Sequence, residues 1–188
     1  IAAIPFISIL YGITKGKYNF KVLKYTLHFD DLPAAFDGYQ ISQISDIHSG
    51  SFDNKEKIEY AVDLVNKQAS DVIMFTGDLV NSESKEMRPW KSTFSKLKAP
   101  DGVFSILGNH DYGDYHQWDS PQAKSENFKN LIARHKSLGF NILMNENPQA
   151  AYSIQGRIPE KMREPKSYSA WLQEAYQFRQ DLAALDAV

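Results

Sequence analysis

Three short segments carry residue types that hold divalent metals: Asp46-Ile47-His48, Gly77-Asp78-Leu79-Val80-Asn81 and Gly108-Asn109-His110-Asp111. Each follows an apolar, strand-like run, so each set of polar side chains is delivered at a strand end. Two divalent cations about 3.5–4 Å apart can share a hydroxide, hold the nonbridging oxygens of a phosphoryl group and offset charge on the attacking and leaving oxygens. Holding cations that close requires an anionic ligand between them. Asp78, a short carboxylate just past a buried strand, is the natural bridge. Asp46 and His48, alternate residues of one extended segment, are expected to point together at the first metal. Asn109 offers a neutral amide oxygen to the second, which limits the negative charge that a phosphate must approach.

His110 adjoins a ligand and cannot easily turn to the same metal, so it is assigned to the substrate, stabilising the transition state or protonating the leaving oxygen. Asp111 is expected to fix the His110 tautomer through a hydrogen bond. Gly77 and Gly108 let the backbone turn sharply where a Cβ would crowd the site. Oxygen and nitrogen ligands without sulfur suit Mn, Fe or Zn better than Ca or Mg, so two divalent ions of that group are the expected cofactors. Each segment alone also reads as an ordinary turn; all three in order, each at a strand end, carry the metal-site reading. His116 is read as part of an aromatic cover rather than a substrate pocket. His135 is read as solvated, His28 as lying in a strand away from the site, and Asn81 and Asp53 as turn residues.

These segments need elements to position them. Residues 39–45 read as a strand that delivers Asp46 and His48. Residues 55–68 carry Ile58, Ala61, Val62 and Val65 at helical spacing, the stripe of a surface helix covering a sheet. Val72-Ile73-Met74-Phe75 is a continuous apolar run ahead of Gly77-Asp78, as expected of a strand buried on both faces. Residues 88–98 predict a second helix with Trp90, Phe94 and Leu97 on one side, and Val103 to Leu107 a third strand. A helix over 123–138, closed by Gly139, and a strand over 140–144 follow. Alternation at Phe20, Val22, Tyr25, Leu27 and Phe29 predicts extended chain in a sheet. Beyond Asn145 a strand over 149–155, a linker over 157–166 and a helix over 167–185 are expected. The repeated order of strand, motif and helix implies an α/β layered fold with the motifs at strand carboxyl ends.

At 188 residues, 43% hydrophobic and 13% aromatic, the chain has enough apolar surface for one packed domain. A net charge of -2 supplies no overall basic field, so specific nucleic-acid binding is not expected. There is no cysteine, which excludes disulfides, zinc-thiolate sites and thiol nucleophiles. Residues 1–13 are apolar apart from Ser8 and Gly12, and Lys15, Lys17, Lys21 and Lys24 follow. Residues 1–17 read as the possible end of a membrane helix, with the positive flank placing the catalytic part on the cytoplasmic side.

The segments Asp46-x-His48, Gly77-Asp78 and Gly108-Asn109-His110-Asp111 resemble those of the calcineurin-like metallophosphoesterase family, over about residues 25–145. The apolar start and the lead-in Asp37-Gly38-Tyr39-Gln40-Ile41 resemble bacterial membrane-tethered members more narrowly. The resemblance implies a β-sandwich flanked by helices, with Asp46, His48, Asp78, Asn109 and His110 in the roles assigned above. The family also carries a later lone His and a Gly-His-x-His segment; after His110 this sequence has only His116 and His135. Residues 18–156 are therefore read as the N-terminal half of the phosphoesterase domain, and 157–188 as linker and helical tail. The expected function is metal-dependent hydrolysis of a phosphomonoester or phosphodiester by a bimetal-bound hydroxide, the ester being lipid- or nucleotide-linked by analogy. The alternative is a catalytically deficient fragment or remodelled variant that binds metal, phosphate or protein. A nucleotide-binding α/β domain ranks last, for want of a Gly-rich phosphate loop.

Overall fold

A computed structural model describes residues 3–144 of the chain. Residues 3–32 and 38–144 belong to one unit, whereas Pro33–Asp37, with the 3-10 turn Ala34–Phe36, belongs to another. The elements of the first unit are α1 (Ala3–Thr14), β1 (Ile41–Ile44), α2 (Lys55–Asn66), β2 (Val72–Phe75), α3 (Lys91–Phe94), β3 (Val103–Ser105), α4 (Pro121–Ser137) and β4 (Asn141–Ile142). The strands form one four-stranded sheet in the order β1-β2-β3-β4, every neighbouring pair parallel. The α/β class read from the sequence is the class observed, and among the described residues there is this single sheet.

Parallel neighbours require crossovers, and crossovers of one hand between strands in sequential order put their connecting elements on one face. The register identifies that face: Ser42 pairs with Ile73, Ile44 with Phe75, Ile73 with Val103 and Phe75 with Ser105. Of these, Ile73, Phe75 and Val103 pack in one core with Ile58 and Val62 of α2, Phe94 of α3, and Leu131 of α4 with nearby Leu138. Fully burying side chains such as Phe75 and Leu131 stabilises the fold by roughly 1.5–3 kcal/mol each.

Local chemistry fixes the helix ends. The Asn54 side chain accepts from the Lys57 N–H at 3.0 Å and starts α2. Ser120 accepts from the Ala123 N–H at 3.1 Å, with Pro121 just inside α4. Gly139 follows α4 at φ 85°, a left-handed conformation that glycine adopts without steric cost. The helix expected over 88–98 is observed as a 3-10 stretch Ser84–Trp90, with Pro89 inside it, followed by α3, after which Lys96 and Leu97 N–H donate to the Thr93 and Phe94 carbonyls at 3.1 Å each.

Two expectations fail. The segment around Phe20 to Phe29 pairs with no strand among the described residues, and Val22, Leu23, Tyr25, Leu27 and Phe29 are exposed. Alternation shows only that a segment suits a sheet; it takes a neighbouring strand to satisfy the pattern. The second is His135, expected in solvent but fully buried. Asn127, Leu131 and His135 lie four residues apart on the inner face of α4, and this periodicity outweighs the flanking Arg134 and Lys136.

His135 Nδ1 lies 3.0 Å from Ser105 Oγ, while Nε2 has no hydrogen-bond partner among the described residues. Burial lowers its pKa from 6.5 to about 4. The unfolded chain therefore binds a proton that the folded chain refuses between those values. The stability contribution is complete above pH 6.5 and is lost as pH falls toward 4, to the extent of roughly 3 kcal/mol. Urea denaturation from pH 7.5 to 4.5 is expected to show this loss, and His135→Leu is expected to flatten that limb. An equally steep limb in the variant would assign the acid sensitivity to other groups.

Candidate metal centre

The motif loops continue the sheet beyond the strand ends. The Thr76 N–H donates to the Ile44 carbonyl at 3.0 Å, Asp46 N–H to Gly77 O at 3.0 Å, His48 N–H to Asp78 O at 3.0 Å and Ser49 N–H to Leu79 O at 3.1 Å. The first two loops thus run side by side past β1 and β2. The third loop is pressed against the second: a Cβ on Gly77 would strike the Gly108 backbone, and one on Gly108 would strike Asp78. Gly77, at φ 107°, also occupies a conformation that few other residues reach.

Asp46, His48 and Asp78 have φ values of 53°, 46° and 60°, all left-handed. Each costs of order 1 kcal/mol relative to ordinary backbone. The continued ladder and the glycine contacts hold them there. Three strained residues converging at the ends of adjacent strands mark this end of the sheet as a site at which local stability has been given up.

His48 Nε2 lies 3.8 Å from Asp46 Oδ1 and 3.8 Å from Asp78 Oδ2. Asp78 is buried, and its Oδ1 accepts from the His110 backbone N–H at 2.9 Å, so its two oxygens have separate tasks. The His48 and His110 rings meet edge to face with centroids 4.6 Å apart. One ligand atom each from His48, Asp78 and His110 lie within 4.8 Å of one another. Separations of 3.8 Å are too long for hydrogen bonds. They suit ligands that share a cation, since atoms about 2.0–2.2 Å from one ion are about 3–4 Å from each other. Asp46 is exposed at the rim of this group, and Asn109, also exposed, donates from Nδ2 to Tyr115 Oη at 2.9 Å. A set of oxygen and imidazole donors with one buried carboxylate fits a divalent transition metal.

His110 Nδ1 lies 2.8 Å from the Asn81 carbonyl oxygen. A carbonyl only accepts, so Nδ1 carries the hydrogen and Nε2 is the nitrogen left for other partners. This corrects the expectation for Asp111, which does not hold the His110 ring. Asp111 is fully buried, with Oδ2 accepting from Asp78 N and Gly108 N at 2.9 Å each and Oδ1 from Leu79 N at 2.9 Å and Val80 N at 3.3 Å. It turns inward from the short 3-10 turn His110–Tyr112 and ties the second loop to the third. Burial pushes its pKa up, against the pull of these four donors. A carboxyl proton would have to displace one of the N–H bonds, so the ionised form fits this cradle.

Glu86 is a supporting residue that the sequence reading did not single out, and Asn81, read there as a turn residue, lends its backbone carbonyl to His110. Glu86 Oε2 accepts from Asn81 N at 2.6 Å, and Oε1 accepts from Ser82 N at 3.1 Å and Glu83 N at 2.8 Å. Glu86 thereby fixes the carbonyl that orients His110. A Cβ on Gly50 would run into this carboxylate, so glycine there lets the loop after His48 close on the second loop. The signal was present: Glu83-x-x-Glu86 has capping-box spacing, and the structure has both reciprocal bonds.

The family profile described as calcineurin-like phosphoesterase matches residues 39–180. The chain is 29% identical over 103 residues to a zebrafish (Danio rerio) transmembrane protein with metallophosphoesterase domain, a match covering 55% of this chain and 24% of that protein. It is 32% identical over 94 residues to the metallophosphoesterase YkuE of Bacillus subtilis, covering 49% of this chain and 33% of that protein. A metallophosphoesterase of Aquifex aeolicus is 29% identical over 109 residues, covering 57% and 41%. The matched stretch thus covers between 24% and 41% of the length of these relatives. They come from animals as well as bacteria, so the likeness does not single out a bacterial branch. With the profile running through all three motif loops and a group of potential metal ligands gathered where those loops meet, the chain belongs to the calcineurin-like phosphoesterase family.

Proposed function

We propose that this chain holds a pair of divalent cations among Asp46, His48, Asp78 and Asn109 and hydrolyses a phosphate ester. The convergence of His48, Asp78 and His110 from three loops is the observation that carries the reading. When bound, such cations supply charge stabilisation to the phosphoryl oxygens and lower the pKa of water. Asp78 would supply the buried anionic charge that both cations share, with Asp46 and His48 as further ligands of one and Asn109 as a neutral ligand of the other.

The task of His110 is proton delivery at Nε2, because Nδ1–H is committed to the Asn81 carbonyl. As the water oxygen bonds to phosphorus and the bond to the ester oxygen breaks, a protonated Nε2 gives its proton to that leaving oxygen. Asp111 sets the backbone geometry on which this depends. The test is hydrolysis of aryl phosphate mono- and diesters by the full chain with added Mn2+. Metal-dependent turnover supports the reading; a well-folded chain with neither turnover nor bound metal supports a catalytically deficient binding or interaction module.

Membrane contact through residues 1–17 is the second part of the proposal, resting on α1. Its Ile4, Phe6, Ile7, Ile9, Leu10 and Tyr11 are all exposed. No helix among the described residues is long and apolar enough to cross a membrane. An exposed apolar helix followed by Lys15, Lys21 and Lys24 suits the surface of an anionic bilayer, and would favour a lipid-linked ester. Co-sedimentation with phosphatidylserine-containing vesicles is expected to exceed that with phosphatidylcholine alone, and to fall about tenfold in Ile7→Asp/Leu10→Asp. Equal recovery of variant and wild type would refute the contact.

A further inference from the structure

Tyr115 touches both neighbours in the third loop. Its ring stacks on His110 with centroids 4.4 Å apart and planes inclined by 26°, and its hydroxyl oxygen accepts from Asn109 Nδ2 at 2.9 Å. His110 therefore sits between Tyr115 and the edge-to-face His48 ring, with Nδ1 on the Asn81 carbonyl. Tyr115 is itself 65% exposed, so neither contact follows from core packing. An aromatic residue left in solvent, yet bonded to one site residue and stacked on the next, has its contacts concentrated on the site.

Only the oxygen end of an amide can bind a cation, and its nitrogen end must then face a hydrogen-bond acceptor or water. We propose that Tyr115 is a positioning residue for the cation that Asn109 serves: its hydroxyl gives Nδ2 an acceptor at 2.9 Å while Oδ1 faces the metal, so the amide is held in place when its oxygen binds. This inference rests on the metal reading above and extends it to a residue outside the three motifs. The stack on His110 is a second, separable contribution of the same side chain.

The test is Mn2+ binding to the full chain, followed by the electron paramagnetic resonance signal of free Mn2+, which does not depend on turnover. Asn109→Ala identifies the affinity that the amide provides. Tyr115→Phe keeps the ring stack and removes the acceptor, and is expected to weaken that same affinity about 3- to 10-fold, the range of one neutral hydrogen bond. In the Asn109→Ala background the Tyr115→Phe change is expected to add nothing, because its effect passes through the missing amide. Tyr60→Phe, on an exposed face of α2, serves as a control that leaves the isotherm unchanged. A Tyr115→Phe isotherm superimposable on wild type, or losses that add in the double variant, would overturn the inference alone. Absence of Mn2+ binding to wild type would overturn it together with the metal reading.

Discussion

Asp78→Asn is expected to lower turnover by about 10²–10⁴-fold and to weaken divalent-metal binding in parallel, while leaving the fold in place. The amide keeps the oxygen that accepts from the His110 N–H and tolerates the left-handed backbone at φ 60°. What it loses is the buried negative charge, and removing one partner of a buried charge interaction typically costs roughly 3–5 kcal/mol, which corresponds to the stated range of rates. Denaturant midpoints within about 1 kcal/mol of wild type would establish that the fold survived. A variant with wild-type turnover and wild-type metal content would remove Asp78 from the site.

The second large effect is on stability. Asp111→Ala is expected to destabilise the chain by roughly 3–5 kcal/mol, because it strips the acceptor from four backbone N–H groups in a fully buried place. Asp111→Asn is not expected to rescue it, since its NH2 group would face N–H donors where the carboxylate oxygen accepted. Metal affinity should fall as well, because the same four bonds fix the backbone that carries Asp78 to the backbone that carries Asn109. Urea titration with a linear extrapolation reads the stability change. A loss below about 1 kcal/mol would mean that water replaces the carboxylate without consequence.

What the sequence disclosed divides by the range of the physics involved. The end of α4 was legible because Gly139 acts on its own neighbours, whereas its start was placed at 123 rather than Pro121, because the Ser120-Pro121 cap was not read. The three strands ahead of the motif loops were legible as apolar runs ended by Gly77, Gly108 or polar residues. The gathering of His48, Asp78 and His110 followed from parallel strands delivering their carboxyl ends to one side. Asp111 was misread because its partners are backbone groups up to 33 residues away, and no side-chain type announces a bond to the main chain. His135 was misread because its charged neighbours were weighed above its four-residue spacing from Leu131. Tyr115 showed only as one member of an aromatic loop; its contacts with Asn109 and His110 exist in three dimensions alone. The expected strand over 149–155 and helix over 167–185 fall outside the described residues.

Asp46, His48, Asp78 and Asn109 are proposed to surround divalent cations. Anomalous X-ray scattering at the manganese edge, from crystals of the full chain grown with Mn2+, tests this most directly. Anomalous density is expected among these four side chains, within coordination distance of Asp78 and His48. Well-ordered crystals with no such density there, or with Mn2+ held only elsewhere on the chain, would contradict it.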